Sequence, residues 1–149
     1  MKFYREQFAI LVISDRLVTV LSALTGFNSK TAKKPAMGVA VFPCFIILRN
    51  LTHPKTKEWL VHEKIHIIQF WESLGLYYFL SQLEYLYARI FLCQSHTEAY
   101  FNEAVEQESY LNQHDDAYLT HREFGATLKY FKNKKEIMTD AEYNVVIKD

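Results

Sequence analysis

The spacing of apolar residues predicts a short helix and then a β segment in the first third of the chain. A helical period over residues 15–24 predicts the first helix, and Gly26 is a plausible stop for it. The segment MGVAVFPCFIILRN, from Met37 to Asn50, is rich in β-branched and aromatic residues and has Pro43 near its centre. Because proline cannot donate a hydrogen bond inside a sheet, the segment predicts two short strands or one bent edge strand.

Helical patterns dominate the rest of the chain. We predict a second helix from about Lys55 to Leu74, begun by Thr52-His53-Pro54 and ended by Gly75. The third helix covers Leu76–Leu92, an apolar stretch with enough polar residues to indicate a core helix and not a membrane span. The remaining elements are a helix from Ser95 to about Asn112, a helix from Asp116 to about Lys132, and a short strand in the tail YNVVIKD. The predicted fold class is α+β, mainly helical, with a short β element before the second helix.

The aromatic residues of the third helix form a stripe whose members favour the core, although tyrosines with a polar tip also suit a partner surface. They are Tyr77, Tyr78, Phe79, Tyr85, Tyr87 and Phe91.

Composition narrows the class of protein. The chain has 149 residues, half of them hydrophobic, which predicts one domain over residues 1–149. Seventeen basic residues balance seventeen acidic residues, so the chain lacks the basic excess that non-specific nucleic-acid binding requires. Cys44 and Cys93 form no metal or redox motif, and we expect them to be buried free thiols in a reducing compartment. A single disulfide between them is the alternative.

The apolar N-terminal segment raises the question of a membrane. Residues 8–20 are apolar but are interrupted by Ser14-Asp15-Arg16, and no cleavage pattern follows them. We therefore predict a cytoplasmic protein with no signal peptide and no transmembrane segment. A peripheral membrane contact is the alternative that we keep, because the N-terminal third of the chain is very apolar.

The stretch His62-Glu63-Lys64-Ile65-His66 carries the clearest candidate chemistry. Histidines four residues apart share one face of a helix and can bind one metal ion together. Zinc accepts such nitrogen ligands and lowers the pKa of a bound water to about 7, and Glu63 can accept the proton from that water. This chemistry is what the H-E-x-x-H motif provides. The alternative is a histidine pair that binds no metal and has only a structural role.

Two histidines require a third protein ligand, and three glutamates are candidates: Glu84, Glu98 and Glu103. We prefer Glu98, on a later helix, with Glu84 as second choice. A capping box, Ser95 to Glu98, is the competing interpretation for Glu98.

Further residues are candidates for supporting roles. Asn102 and Glu103 could hydrogen-bond a ligand, and Tyr100 could lie behind a ligand or near the substrate. Gln69 could contact a ligand or a substrate carbonyl, or it could be a partly exposed residue at the edge of the helix. Spacing does not choose an oxyanion stabiliser among four residues: Tyr100, Tyr110, His114 and His121.

HEKIHIIQ, an aromatic-rich helix and then Glu98-Ala99-Tyr100 resemble small gluzincin-like (HExxH) zinc metallopeptidase domains of bacterial and phage type. The resemblance covers about Met37 to Glu108, the metallopeptidase-like core, and implies a minimal zincin-like fold. It also implies that His62, His66 and Glu98 bind Zn²⁺ and that Glu63 is the catalytic base. Just before Glu98, where such domains often show Pro-Phe-Glu, this chain has Ser95-His96-Thr97.

The expected function is therefore a zinc metallopeptidase that acts on a peptide or protein substrate, in the cytoplasm or, if phage-encoded, in a virion. One alternative is a non-catalytic zinc-binding protein, such as a virion or complex subunit that contacts a protein partner. Another is a membrane-peripheral helical protein with a fortuitous motif.

Overall fold

The computed structural model describes residues 2–5, 9–24, 38–41, 44–49 and 56–132. The fold is α+β and mainly helical, as the sequence predicts. The elements in chain order are β1 (Lys2–Arg5), β2 (Ile10–Ile13), α1 (Asp15–Leu24), β3 (Gly38–Val41), β4 (Phe45–Leu48), α2 (Thr56–Ser73), α3 (Leu76–Ile90), α4 (His96–Phe101), α5 (Ala104–Asn112), α6 (Tyr118–His121) and α7 (Thr127–Lys132).

The chain forms two compact units. Unit 1 comprises Met1–Ile68 and Asn112–His121, and unit 2 comprises Gln69–Leu111 and Arg122–Asp149. The division falls inside α2 and inside α5, so each of these helices contributes residues to both units. Among the described residues, no helix has the length and apolarity needed to cross a bilayer.

Unit 1 is built on a four-stranded mixed sheet with strand order β1-β2-β4-β3. The outer pairs, β1–β2 and β3–β4, are antiparallel, whereas the central pair β2–β4 is parallel, with Leu11 opposite Ile46. A parallel pair needs a crossover, and here the crossover contains α1.

Side chains alternate between the two faces of this sheet, and each face builds its own apolar cluster. One cluster joins the sheet to α2 and consists of Ala9, Leu11, Ile46, Leu48 and Ile67, with Trp59 and Leu60 packed against it. The other joins the opposite face to α1 and consists of Val12, Val18 and Ile47. The sheet therefore lies between two helices, which explains why its central strands are apolar on both faces.

Helix α2 uses several faces at once in unit 1. Ile67 packs towards the sheet, whereas Val61 and Ile65 pack with Tyr118 of α6. The buried polar residues of the same helix are His62, Glu63 and His66. Apolar packing on both sides thus fixes the direction in which the two histidines project.

Unit 2 begins with the last turn of α2 and a two-residue turn into α3. Leu74 and Gly75 both have positive φ angles, 49° and 88°, and the Gly75 amide donates to the Phe70 carbonyl at 3.1 Å. A Cβ at position 75 would lie 3.3 Å from the Phe70 ring, so this turn favours glycine for both its conformation and its space.

Several predicted elements agree with the structure. Helix α1 has the predicted bounds, and the Met37–Asn50 segment forms two strands, β3 and β4. The predicted helices Lys55–Leu74 and Leu76–Leu92 correspond to α2 and α3. The predicted start at Thr52-His53-Pro54 and the predicted tail strand lie outside the described residues.

Other predictions were wrong. The helix predicted from Ser95 to Asn112 breaks after Phe101, because the Glu84 carboxylate accepts the Ala104 amide and starts α5 anew. The helix predicted from Asp116 divides into α6 and α7, since Arg122 and Gly125, with a φ of 73°, interrupt it. Strands β1 and β2 were not predicted. Cys44 and Cys93 are free thiols, as expected, but neither is fully buried: Cys44 is half-buried and Cys93 is exposed.

Candidate metal centre

His62 and His66 converge on one point beside α2. Both side chains are buried, and their Nε2 atoms are 3.1 Å apart. The rings stand nearly perpendicular to each other, at 85°. Two nitrogens that each lie 2.0–2.1 Å from one tetrahedral zinc ion would be about 3.3 Å apart. The observed separation therefore suits shared coordination, and it equally suits a hydrogen bond between the two rings in the metal-free protein.

Gln113 sets the orientation of the first histidine. Its Oε1 atom lies 3.2 Å from Nδ1 of His62, and its side chain is buried. An amide oxygen can only accept, so this contact assigns the proton to Nδ1 and leaves the lone pair of Nε2 on the side facing His66. The Gln113 amide nitrogen lies 3.4 Å from Nε2 of His114, whose other ring nitrogen faces Glu58 at 3.4 Å.

Glu63 follows His62 directly and is also buried, with 8% of its surface exposed. Successive residues of an α-helix are about 100° apart around its axis. Glu63 therefore lies beside the helix face that His62 and His66 share, and not on it. A buried carboxylate at this place has the chemistry of a general base.

The third acidic residue of the group is Glu106, which the sequence did not single out. One ligand atom from each of His62, His66 and Glu106 lies within 4.8 Å of the others, and all three side chains are buried. Glu106 lies in the first turn of α5, where the helix dipole and the free amides favour a negative charge. Within the described residues, this is the group of histidine, cysteine and acidic side chains that could hold a metal ion.

Tyr100 supports Glu106. Burial raises the pKa of Tyr100 well above its ordinary value, and the charge of Glu106 and a hydrogen bond between the two side chains act in the same direction. The phenol therefore stays protonated and donates to the Glu106 carboxylate. The sequence offered Tyr100 as a residue near the substrate or behind a ligand, and the structure places its hydroxyl in a hydrogen bond with Glu106.

The structure gives Glu98 a capping role, and the group that it forms around the histidines contains Glu106. The Glu98 carboxylate accepts the Ser95 amide at 2.8 Å, and the Glu98 amide donates to Ser95 Oγ at 3.2 Å, which together form a capping box. These hydrogen bonds from Ser95 lower the pKa of Glu98. The second choice, Glu84, accepts the Ala104 amide at 3.1 Å, and Glu103 is buried beside the start of α5.

Gln69 and Asn102 also have structural partners. Gln69 is fully buried, its amide donates to the Val105 carbonyl and to Glu108, and its Oε1 atom accepts from Tyr78. It therefore neither lies at the rim nor faces a substrate. Asn102 caps the end of α4 and donates to the Gln94 side chain at 2.8 Å.

The residues proposed as oxyanion stabilisers, besides Tyr100, lie in other surroundings. Tyr110 packs on Phe101, His114 faces Glu58, and the exposed His121 faces Asp115.

Sequence reasoning missed Glu106 and Gln113, and little in the sequence could have found them. Helix α5 reads AVEQESYLN and has no apolar stripe, yet Glu106, Gln107, Glu108 and Ser109 are all buried. A helix this polar would be expected on the surface. Gln113 lies in the turn after α5, and no sequence motif marks a glutamine at such a position as functional.

Comparison with known proteins adds no relative. No family model, no curated protein and no solved structure matches this chain.

Proposed function

We propose that this protein is a zinc-dependent metallohydrolase of the metallopeptidase class, in which His62, His66 and Glu106 hold the cation and Glu63 is the general base. The observation that carries the proposal is the buried group of two imidazoles and one carboxylate, with Glu63 next to the first histidine.

The donor set fits zinc. Catalytic zinc sites typically use three protein ligands and leave one position for water or substrate, and two histidines with one glutamate are a common set. The resemblance to gluzincin-like domains supports His62 and His66 as ligands and Glu63 as the base. It implies Glu98 as the third ligand, whereas the proposal rests on the geometry of Glu106. Nitrogen and carboxylate ligands also admit other divalent ions, so metal supply contributes to the choice.

The chain's own residues prepare this chemistry. A divalent cation held here would supply Lewis acidity and lower the pKa of a water molecule. Gln113 holds His62 in the tautomer that presents Nε2, and Tyr100 holds the Glu106 carboxylate by a hydrogen bond. Glu63 accepts a proton and returns it to the leaving amine of the cleaved peptide. Burial of these groups excludes bulk water and strengthens every charge interaction among them.

A peptide-library cleavage assay on the zinc-loaded protein tests the proposal, with Glu63→Gln as the matched control. The control keeps the shape of the side chain and removes its basicity. We expect cleavage by the wild type and a loss of at least about a hundredfold in the variant, with zinc retained in both.

Two results would contradict the proposal. Undiminished cleavage by Glu63→Gln would remove Glu63 from its role. Zinc bound by the wild type without cleavage of any library member would instead favour the non-catalytic zinc-binding alternative.

A further inference from the structure

The outer face of α3 carries a line of large apolar side chains that unit 2 leaves exposed. Between 49% and 64% of the surface of each is exposed: Leu76, Phe79, Leu83, Leu86 and Ile90. The inner face of the same helix buries Tyr77, Ser81 and Ala88. Helix α3 therefore has two apolar faces, and the core of unit 2 uses one of them.

The spacing of the exposed residues is 3, 4, 3 and 4, which is the a/d pattern of a heptad repeat. Such a pattern makes a narrow seam, whereas the face that a helix turns to a globular core is wider. Gln82 and Arg89 flank the seam on one side. The seam is therefore shaped to receive one other helix along its length.

We propose that two copies of this chain associate through α3, each seam packing against the other. A straight seam along a helix is complementary to itself, as the common two-fold interface between identical subunits requires. Trp71 and Leu74 before the helix and Phe91 and Leu92 after it are also exposed apolar residues.

The area is sufficient for a stable dimer. The five seam side chains expose roughly 550 Å² per chain, so two seams packed together would bury about 1,100 Å² in total, above the roughly 1,000 Å² that a specific interface should clear. An exposed apolar patch of this size marks an interaction site.

A lipid surface is the competing occupant, and the charges on α3 disfavour it. Helices that lie on membranes carry lysine and arginine along the polar border of their apolar face. Helix α3 has no lysine, and its single arginine, Arg89, donates to the Gln94 carbonyl of its own chain.

Sedimentation velocity over a range of protein concentrations tests the proposal on the wild type and two variants. Leu83→Glu places a charge in the middle of the seam. Leu111→Glu is the matched control, because Leu111 on α5 is also a helical leucine with 49% of its surface exposed. Circular dichroism confirms that all three proteins are folded.

We expect a wild-type dimer, an unchanged dimer for Leu111→Glu, and a dissociation constant raised at least about a hundredfold for Leu83→Glu, since the charge would be buried without a partner. A monomeric wild type, a dimeric Leu83→Glu, or equal dissociation of both variants would overturn the proposal. A monomeric wild type that co-sediments with phosphatidylcholine vesicles, when Leu83→Glu does not, would assign the seam to lipid instead.

Discussion

The Nδ1 atom of His62 lies 3.2 Å from the Oε1 atom of Gln113, fifty-one residues further along the chain. This contact joins the histidine motif of α2 to the turn after α5. Because it settles which ring nitrogen carries the proton, it also settles which nitrogen can bind a metal. Gln113 is thus a positioning residue for the candidate centre.

Replacing Gln113 by leucine should weaken zinc binding by about 10- to 100-fold, because His62 would lose the acceptor that orients its ring. Titration calorimetry with zinc measures this directly. Gln113→Glu is the control, since a carboxylate also accepts from Nδ1 and should keep the affinity within a few-fold. Equal losses in both variants would contradict a positioning role and would indicate damage to packing.

Two matched substitutions, one at Glu106 and one at Glu98, test which of the two glutamates is the third ligand. Glu106→Gln should lower zinc affinity by at least about a hundredfold, since it removes the charged oxygen of the group. Glu98→Gln should leave zinc affinity unchanged, because glutamine also serves in a capping box. If the two effects were reversed, Glu98 would be the ligand, as the resemblance alone implies.

A buried ion-pair cluster should dominate the stability of unit 2. Arg122 donates to Glu108 from Nε at 2.5 Å and to Glu72 from Nη2 at 3.0 Å, and 2% of its side chain is exposed. Arg122→Met should lower the free energy of unfolding by about 3–5 kcal/mol, because it leaves two buried carboxylates without their cation. Chemical denaturation measures the change.

Lys129→Met provides the control for this cluster. Lys129 pairs with Glu123 at 2.6 Å, but both side chains are largely exposed, so solvent screens the pair. We expect little change in the free energy of unfolding. A comparable loss from both substitutions would mean that burial does not set the strength of the Arg122 pairs.

Acid should weaken the same cluster. Burial alone would raise the pKa of Glu108, but Arg122, Thr127 and Gln69 outweigh it and hold this pKa below its ordinary value. The stabilisation is therefore present above the pKa of the unfolded chain, about 4.3, and is lost as the pH falls through the lower folded value.

Glu108→Gln makes this dependence measurable. The difference in the free energy of unfolding between the wild type and this variant should narrow steadily as the pH drops below about 4. A difference that stays constant between neutral and acidic pH would show that the Glu108 charge does not stabilise the fold.

Local sequence patterns predicted what local interactions determine. Helix α1 follows from its apolar period, and His62 and His66 share a face because four residues separate them. The capping box at Ser95 and Glu98 is equally local, and it was weighed from the sequence as the alternative role of Glu98.

What the sequence could not predict depends on residues far apart in the chain. Strand β2 exists because it pairs in parallel with β4, over thirty residues later. Glu106 lies on the polar helix α5, which the sequence alone would place on the surface. The helix can be buried because residues distant in sequence donate hydrogen bonds to its Glu108: Gln69, Arg122 and Thr127. Only the folded chain reveals which of the several glutamates approaches the histidines.

The most direct test of the candidate centre is the zinc content of the purified protein by elemental analysis, beside His66→Ala and Glu63→Gln. We expect one zinc ion per chain in the wild type and in Glu63→Gln. We expect no zinc in His66→Ala, whose circular dichroism should still show a helical protein. A wild type that binds no zinc after zinc is supplied, or a His66→Ala variant that binds as much as the wild type, would contradict the proposed metal centre.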